Sequence, residues 1–377
     1  MKRILFGTET RMNIAIITKS ATTKSGAKVP FELAEHLAKH CRVTVLAKKE
    51  NAQKDLVAKL KKQKIPLILY KNIFDLYLNL QKGKFDLISF HSTLRALLIS
   101  KLTFLPVIRT YYGTQFDAYL ERFLPNEKIN FMHKLINSMI NLLLWCDQKL
   151  ILLLSNQVIA ISKAAQKELK KLYAVNSTVI YLGSNIKPTT SYQQPATNNQ
   201  LPTTILSVSR FTPYKGFHTL IDAVNDLRAK GLNLKLVLVG SSPKKNYLKY
   251  LKRKMSGNDQ IITNIDDGGL AKLYASCDVY ATCDRYLFFG LPILEAATFG
   301  KPQIALNYQA AGELILDGKT GYVANSQQEL EKCLTKFLKN KEKRKKMGNA
   351  SRNYAQKNFN WSKIALEYFK IFSPKLK

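Results

Sequence analysis

Short apolar runs alternate with longer amphipathic stretches along most of the 377 residues. In the first half, residues 14–18 and 43–47 have the length and composition of buried strands, and residues 30–40 carry apolar side chains at helical spacing. The alternation returns in the second half, where residues 205–209 and 234–239 are apolar runs. Strands that alternate with helices favour a parallel sheet covered on both faces, so the pattern predicts an α/β fold of the doubly wound type.

The length of the chain exceeds one ordinary hydrophobic core, so two domains are expected. Residues 187–203 are rich in Pro, Thr, Gln and Asn and lack periodicity, which predicts a linker. We therefore predict an N-terminal domain over residues 1–186, a second domain over 204–355 and a C-terminal helical segment over 356–377. The first strand follows a second methionine, so residues 1–11 are interpreted as a dispensable extension.

The formal net charge is +33, from 59 basic and 26 acidic residues. A field of this sign indicates a polyanionic partner, which can be an anionic membrane surface, nucleic acid or an anionic substrate. A lysine-rich composition with solvated faces is the alternative. Nucleic acid is the least favoured partner because the chain contains no recognisable nucleic-acid reader motif.

The five cysteines form no CxxC pair and have no histidines at zinc-ligand spacing. No secretory signal is evident at the start of the sequence. The cysteines are therefore interpreted as reduced thiols of a cytoplasmic protein, with neither disulfides nor zinc.

Two basic residues follow the first strand of the second half. Arg210 comes directly after the apolar run, and Lys215 follows Pro213 just before a predicted helix. Cations at the C-terminal end of a parallel strand, next to the free N–H groups of a helix start, suit a diphosphate. The sequence therefore predicts a phosphate site at this point.

A second turn, over residues 289–296, reads as a buried strand-to-helix connection with a single acid, Glu295. A lone carboxylate beside a phosphate site is well placed to accept hydrogen bonds from ribose hydroxyls. With residues 300–302 (Gly-Lys-Pro) and 317–322 (Asp-Gly-Lys-Thr-Gly-Tyr), these segments resemble family 4 glycosyltransferases of the GT-B fold. That fold consists of two Rossmann-like doubly wound domains facing a central cleft. The resemblance implies that the N-terminal domain is the acceptor side, that the second domain binds the nucleotide sugar, and that the helix over 356–377 returns to the N-terminal domain.

The resemblance implies that a nucleotide diphosphate sugar is the co-substrate, that transfer proceeds with retention, and that neither a separate cofactor nor a metal ion is needed. It assigns Arg210 and Lys215 to stabilising the leaving diphosphate, where one lost contact typically costs about 10²–10³ in rate. Gly290 and Leu291 are expected to offer backbone N–H groups to the phosphates. A small-residue turn at Gly26 is expected to face the donor phosphates, with a plain turn as the alternative.

One part of the family pattern is altered. The family usually carries two glutamates in the form E-G-F-G-L-x-x-L-E. Glu295 stands at the position of the second glutamate. Leu287 stands at the position of the first, and Phe288 replaces the glycine that follows it. An apolar side chain can neither accept a hydrogen bond from the sugar nor stabilise positive charge on its ring. Asp284 is the nearest acid and could substitute only if the loop is rebuilt.

Two further residues are candidates for contact with the acceptor or the transferred sugar. Tyr112 stands where the family often has a histidine before a glycine, and its hydroxyl can still donate one hydrogen bond. His91 follows a predicted strand and is a candidate for acceptor contact. A purely structural histidine at a strand end is the alternative.

Two segments raise the question of a membrane. Residues 54–64 are basic and partly amphipathic, and residues 131–154 are strongly apolar. The charge-free part of the second segment is too short to span a bilayer, which takes about 20 residues. A helix lying in the interface and drawn to anionic lipid is one interpretation, and a core helix beside a solvated basic face is the other.

These observations predict a hexose-transferring glycosyltransferase with an envelope lipid or polysaccharide acceptor, cytoplasmic or peripheral on the inner face of the membrane. The alternative is a catalytically degenerate GT-B protein that holds a nucleotide sugar or a partner without turnover, because of Leu287.

Overall fold

The structure is a computed structural model. It describes residues 12–22, 25–50, 52–117, 119–120, 123–184, 186, 202–241 and 245–373. The predicted extension over 1–11 and all but the end of the predicted linker over 187–203 lie outside the described residues.

The first half forms a seven-stranded sheet. Its strands are β1 (Asn13–Thr18), β2 (Arg42–Lys48), β3 (Leu67–Tyr70), β4 (Leu87–His91), β5 (Val107–Tyr111), β6 (Gln157–Ala160) and β7 (Thr178–Val179). All neighbours are parallel, in the order β3-β2-β1-β4-β5-β6-β7. His91, expected after its strand, is the last residue of β4 because it pairs with Thr18 of β1.

Over its described residues, this half forms the helices α1 (Val29–Leu37), α2 (Lys54–Lys62), α3 (Ile73–Lys82), α4 (Leu94–Lys101), α5 (Phe131–Leu154) and α6 (Lys163–Tyr173). Alternate residues of β1 divide between the two faces of the sheet, as the two-residue period of a strand requires. Ile14 and Ile16 share a core with α1 and α2, whereas Ala15 and Ile17 share another with α3 and α4.

The second half forms a six-stranded parallel sheet. Its strands are β8 (Thr203–Val208), β9 (Leu234–Val239), β10 (Gln260–Ile262), β11 (Val279–Thr282), β12 (Gln303–Leu306) and β13 (Gly321–Ala324), and its helices are α7 (Phe217–Ala229), α8 (Lys245–Lys254), α9 (Asp267–Ser276), α10 (Leu291–Thr298), α11 (Ala311–Leu314), α12 (Gln327–Leu338) and α13 (Lys341–Asn358). The strand order is β10-β9-β8-β11-β12-β13. The predicted α/β class with two doubly wound sheets is confirmed.

The last helix, α14 (Trp361–Phe372), packs against the first half of the chain. Trp361 and Tyr368 are buried in the core that contains α1, and the Tyr368 hydroxyl lies 3.3 Å from Thr110 Oγ1. The predicted return of the C-terminal segment to the N-terminal half agrees with this packing.

Glu313 of α11 joins the two halves at another point. Its carboxylate accepts hydrogen bonds from the backbone N–H groups of Lys163 and Ala164 at 2.7 and 2.8 Å, and from the Tyr181 hydroxyl at 3.0 Å. The first N–H groups of a helix have no acceptor within that helix, and the helix dipole favours negative charge there. A carboxylate of the second half therefore caps α6 of the first.

Candidate active site

The carboxyl edges of the two sheets meet where the strand order reverses. The reversal lies between β1 and β4 in the first sheet and between β8 and β11 in the second. In open α/β sheets, ligands bind outside the carboxyl ends of the strands at such switch points. All the predicted site residues lie on these two edges or on the helices that follow them.

The two predicted catalytic cations share one aromatic neighbour. Arg210 is exposed two residues beyond β8, and its Nη2 donates a hydrogen bond to the Tyr214 hydroxyl at 2.5 Å. Lys215 ends the single 3-10 turn Pro213–Lys215, and its ammonium lies 4.8 Å from the centre of the Tyr214 ring. The structure therefore brings the two cations together immediately before α7.

Lys215 is also paired with an acid. Its Nζ forms an ion pair with Asp284 Oδ2, and Asp284 Oδ1 accepts a hydrogen bond from the Tyr286 N–H at 3.0 Å. The Asp284 side chain is buried. This acid, considered above as a substitute for the missing glutamate, faces the predicted phosphate-binding lysine.

Glu295 is buried in α10 with both carboxylate oxygens engaged. Oε1 lies 2.9 Å from the Lys28 ammonium of the first half, and Oε2 accepts a hydrogen bond from the Tyr274 hydroxyl at 2.9 Å. Gly26 lies in the single 3-10 turn Ser25–Lys28, so the structure brings its turn next to Glu295. We call Lys28, Arg210, Lys215, Asp284 and Glu295 the charged cluster.

Sequence reasoning missed Lys28. The available signal was a lysine just after the glycine turn that follows β1, in the segment that a phosphate site would use. A lysine in a basic chain carries little information alone, since the sequence has 59 Lys and Arg residues.

Gly290 and Leu291 form the start of α10. Gly290 is the N-cap, Leu291 is the first helical residue, and Pro292 follows within the first turn. N–H groups at the start of a helix lack acceptors within it, so this end can receive an anion. The Leu291 side chain packs into the core of the first half, which fixes α10 against that half.

The two altered family positions have different surroundings. Leu287 is buried in the core of the second half, and its carbonyl accepts a hydrogen bond from the Ala310 N–H at 2.9 Å. Phe288 instead packs against Gly113 of the first half, whose φ is +90°. A Cβ at Gly113 would lie 2.2 Å from the Phe288 ring, so the two residues close the gap between the halves.

The edge of the first sheet carries a neutral hydrogen-bonded set, Ser89, His91 and Tyr112, which we call the histidine cluster. His91 Nε2 lies 3.0 Å from Ser89 Oγ, and His91 Nδ1 lies 2.7 Å from the Tyr112 hydroxyl. Burial, with a smaller effect from the Arg109 charge, lowers the pKa of His91 to about 3. His91 is therefore uncharged at neutral pH and acts through hydrogen bonds.

Arg109 is a second residue that sequence reasoning did not single out. It is buried on β5, its Nη1 donates to the Ser92 carbonyl at 3.1 Å, and its guanidinium lies 5.5 Å from the centre of the Phe90 ring. Among the described residues no carboxylate forms an ion pair with it. Burial lowers the pKa of Arg109, because removing a cation from water is costly.

Over the part of the chain that the structure describes, no three His, Cys, Asp or Glu side chains are grouped as a metal site. Independence from metal ions stays a prediction.

Two family models match the chain in succession. The model described as Glycosyltransferase Family 4 matches residues 26–187, and Glycosyl transferases group 1 matches residues 189–354. The first match spans β2 to β7 of the first sheet, and the second spans all six strands of the second sheet. The chain belongs to the family 4 glycosyltransferases.

Individual relatives of this glycosyltransferase agree with the family match. The uncharacterized glycosyltransferase MJ1069 of Methanocaldococcus jannaschii is 28% identical over 82% of this chain and 80% of its own length. The phosphatidyl-myo-inositol mannosyltransferase of Mycobacterium leprae is 25% identical over 57% of this chain and 58% of its own length.

The fold is shared with solved glycosyltransferase structures. Alr3699/HepE of Anabaena, solved in complex with UDP and glucose, superposes with a TM-score of 0.74 at 20% identity, covering 97% of this chain and all of the other. At this identity the likeness concerns the fold alone. The predicted GT-B fold of this glycosyltransferase is confirmed.

Proposed function

We propose that this glycosyltransferase moves a hexose from a nucleotide diphosphate sugar to an envelope lipid or polysaccharide acceptor. Transfer would proceed with retention and without a metal ion or separate cofactor, on the cytoplasmic side of the membrane. The observation that carries the proposal is the pair of cations, Arg210 and Lys215, placed after β8 at the switch point of the second sheet. Two similar proteins support it: Alr3699/HepE was solved in complex with UDP and glucose, and the relative from Mycobacterium leprae is a phosphatidyl-myo-inositol mannosyltransferase.

The chemistry follows from the charge that develops on the leaving group. When the bond between sugar and diphosphate breaks, negative charge grows on the phosphate oxygens, and fixed cations stabilise it. Lys215 is already paired with Asp284, so the incoming diphosphate has to replace or share that carboxylate. Arg210 is exposed and has only a neutral hydroxyl as its described hydrogen-bond partner, so its charge is free to bind the diphosphate.

Ribose binding by Glu295 requires a similar exchange. Its two oxygens accept hydrogen bonds from Lys28 and the Tyr274 hydroxyl. A carboxylate oxygen has more than one lone pair, so a ribose hydroxyl can be added without removing both partners. The neutral His91 and Tyr112, on the opposing edge, would contact the transferred sugar or the acceptor hydroxyl.

The test is thermal unfolding with UDP, GDP, ADP, TDP and CMP, on the wild type and on Arg210→Ala/Lys215→Ala. A nucleotide at 100 times its dissociation constant adds about 2.7 kcal/mol to the free energy of unfolding. We expect one nucleotide to raise the melting temperature of the wild type and not of the double variant. Lys345→Ala/Lys346→Ala on α13 removes the same charge from an exposed helix and should retain the shift. If no nucleotide shifts the wild type, the donor site is wrong.

A binding module without turnover is the second candidate. It is favoured by the burial of Leu287 where the family has a glutamate, and by the ion pair that occupies Lys215. The same melting experiment tests this candidate when it is combined with an assay for transfer or hydrolysis of the donor sugar. A nucleotide shift in a protein that carries out neither reaction would support the binding module over the enzyme.

A further inference from the structure

The exposed apolar side chains of the protein are concentrated on one face. Apart from Tyr308 and Leu366, every large apolar side chain that is exposed among the described residues lies on α3, α4 or α5 or in the turn after α4. These are Ile73, Phe74, Leu78, Leu98, Leu102, Phe104, Phe131, Met132, Leu135, Met139, Leu142, Leu143, Leu150 and Leu153. We call this set the apolar face. Monomeric proteins rarely expose contiguous apolar surface on this scale unless it has a partner.

Helix α5 supplies the longest part of the apolar face. Its exposed residues Met132, Leu135, Met139 and Leu142 follow spacings of three and four, which places them on one stripe. The helix has 24 residues, a length of about 36 Å. A surface helix usually turns such a stripe toward the core, but here only Asn137, Ile151 and Leu152 are buried on it. The stripe is therefore directed to solvent.

The turn after α4 adds a strained aromatic tip. Phe104 is 94% exposed, and its φ is +59°. A left-handed backbone is unfavourable for a bulky residue. Presenting the ring to water adds to that cost, so a partner that buries Phe104 would recover part of it.

The segments that carry the apolar face have a net positive charge. In residues 71–106 and 128–156 the basic residues outnumber the acidic ones, eight to three: Lys71, Lys82, Lys84, Arg95, Lys101, Lys128, Lys134 and Lys149 against Asp75, Asp86 and Asp147. Pairing this face with a second copy of a chain of net charge +33 would bring like charges together. An anionic lipid surface is attracted by these cations instead.

The apolar face begins beside the cleft. Asn137 and Asn141 of α5 donate hydrogen bonds to Asp117 Oδ1 at 2.7 and 3.1 Å, and the Tyr286 hydroxyl of the second half donates to Asp117 Oδ2 at 3.3 Å. The first turns of α5 are thus tied to the loop that carries Asp284 and Leu287. A lipid acceptor held by the apolar face would approach the histidine cluster from this end.

We propose that the apolar face is the docking surface for an anionic bilayer, with α5 lying in the plane of the interface. This deepens the proposed function, because it supplies the partner from which a lipid acceptor would come. Of the two segments that the sequence offers for membrane contact, the structure favours α5. The apolar residues Leu56 and Leu60 of α2 are buried, and Lys59 is paired with Glu32 and Glu35. Over the described residues, no helix is long and apolar enough to cross a membrane.

The test is flotation of the full-length protein with vesicles of phosphatidylcholine, with and without phosphatidylglycerol. We expect binding to the anionic vesicles, and a loss of about a hundredfold or more in Met139→Glu/Leu143→Glu, since each large apolar side chain buried in lipid contributes about tenfold or more. Tyr308→Glu/Leu366→Glu is the matched control: it puts the same charges at the two exposed apolar positions elsewhere, and it should bind like the wild type.

Three outcomes would overturn the proposal. The first is that the wild type does not bind anionic vesicles. The second is that Met139→Glu/Leu143→Glu binds them as well as the wild type does. The third is that the wild type is a dimer that does not bind vesicles while the variant is a monomer, because the face would then join two copies of the chain. The nucleotide shift is measured on the same preparations. A retained shift without vesicle binding rejects the docking surface alone, whereas vesicle binding without any nucleotide shift rejects the proposed donor site alone.

Discussion

The charged cluster and the histidine cluster of this glycosyltransferase handle charge differently. In the charged cluster, Lys215 is paired with Asp284 and Lys28 with Glu295, so two buried acids each have a cation. The histidine cluster contains no ion pair: His91 is kept neutral by burial and is linked through hydroxyl groups. The charged cluster, which joins Lys28 of the first half to residues of the second, therefore presents charges that a ligand can exchange, and the histidine cluster presents hydrogen bonds.

Under the proposed function, this difference divides the binding roles between the two clusters. An anionic diphosphate can compete with the carboxylates for the cations of the charged cluster, because both are anions of similar geometry. A sugar or lipid hydroxyl is neutral and is better matched by the uncharged ring and hydroxyls of the histidine cluster. The edges meet at Gly113 and Phe288, so a change at that contact alters both.

The largest expected effect comes from breaking the ion pair between the halves. Lys28→Met leaves the Glu295 carboxylate buried with only the Tyr274 hydroxyl, so we expect a loss of about 3 kcal/mol in the free energy of unfolding. Urea denaturation measures it. Lys48→Met, which breaks the exposed pair with Glu50, is the matched control and should cost under about 1 kcal/mol. Equal losses in the two variants would show that the Lys28 pair is worth no more than a surface pair.

The next effect tests the contact where the edges meet. Gly113→Ala combines a backbone φ of +90° with a Cβ 2.2 Å from the Phe288 ring, so we expect a loss of about 2–4 kcal/mol. Gly231→Ala is the control, because Gly231 has a φ of +82° and nothing within 4 Å of its added Cβ. That variant should lose only the free energy of unfolding that a left-handed backbone costs an alanine, about 1–2 kcal/mol. Similar losses in both would mean that Phe288 moves aside without cost.

Features that are formed by neighbouring residues of the chain can be predicted from the sequence. The strands of both sheets are buried on two faces, so they read as apolar runs whose positions the alternation reveals. Arg210 and Lys215 belong to one short segment after β8, and the structure keeps them together. Order along the chain was enough for these features because each depends on neighbouring residues.

Features that depend on how the halves dock were not predictable. Lys28 and Glu295 are separated by 267 positions, and no local pattern links them. The same applies to Phe288, whose ring position depends on a glycine of the other half. Helical spacing predicts the apolar stripe of α5 but not its direction, because a stripe facing solvent and one facing the core have the same period.

The smallest expected effect concerns the neutral His91. Its pKa is about 3 in the folded protein and 6.5 as the ordinary value, so the unfolded chain binds more protons between these pH values. The free energy of unfolding therefore falls as the pH is lowered through 6.5. His91 should account for about 2 kcal/mol of that loss between pH 7 and pH 5.

His91→Gln should remove that part of the acid dependence of the free energy of unfolding, measured with urea at both pH values. His218, whose pKa burial lowers to about 4, acts in the same direction. His218→Gln should therefore reduce the slope independently, and the double variant should be flatter than either. A slope in His91→Gln equal to that of the wild type would mean that His91 takes up a proton in the folded protein. The histidine cluster would then carry charge, and the contrast with the charged cluster would not hold.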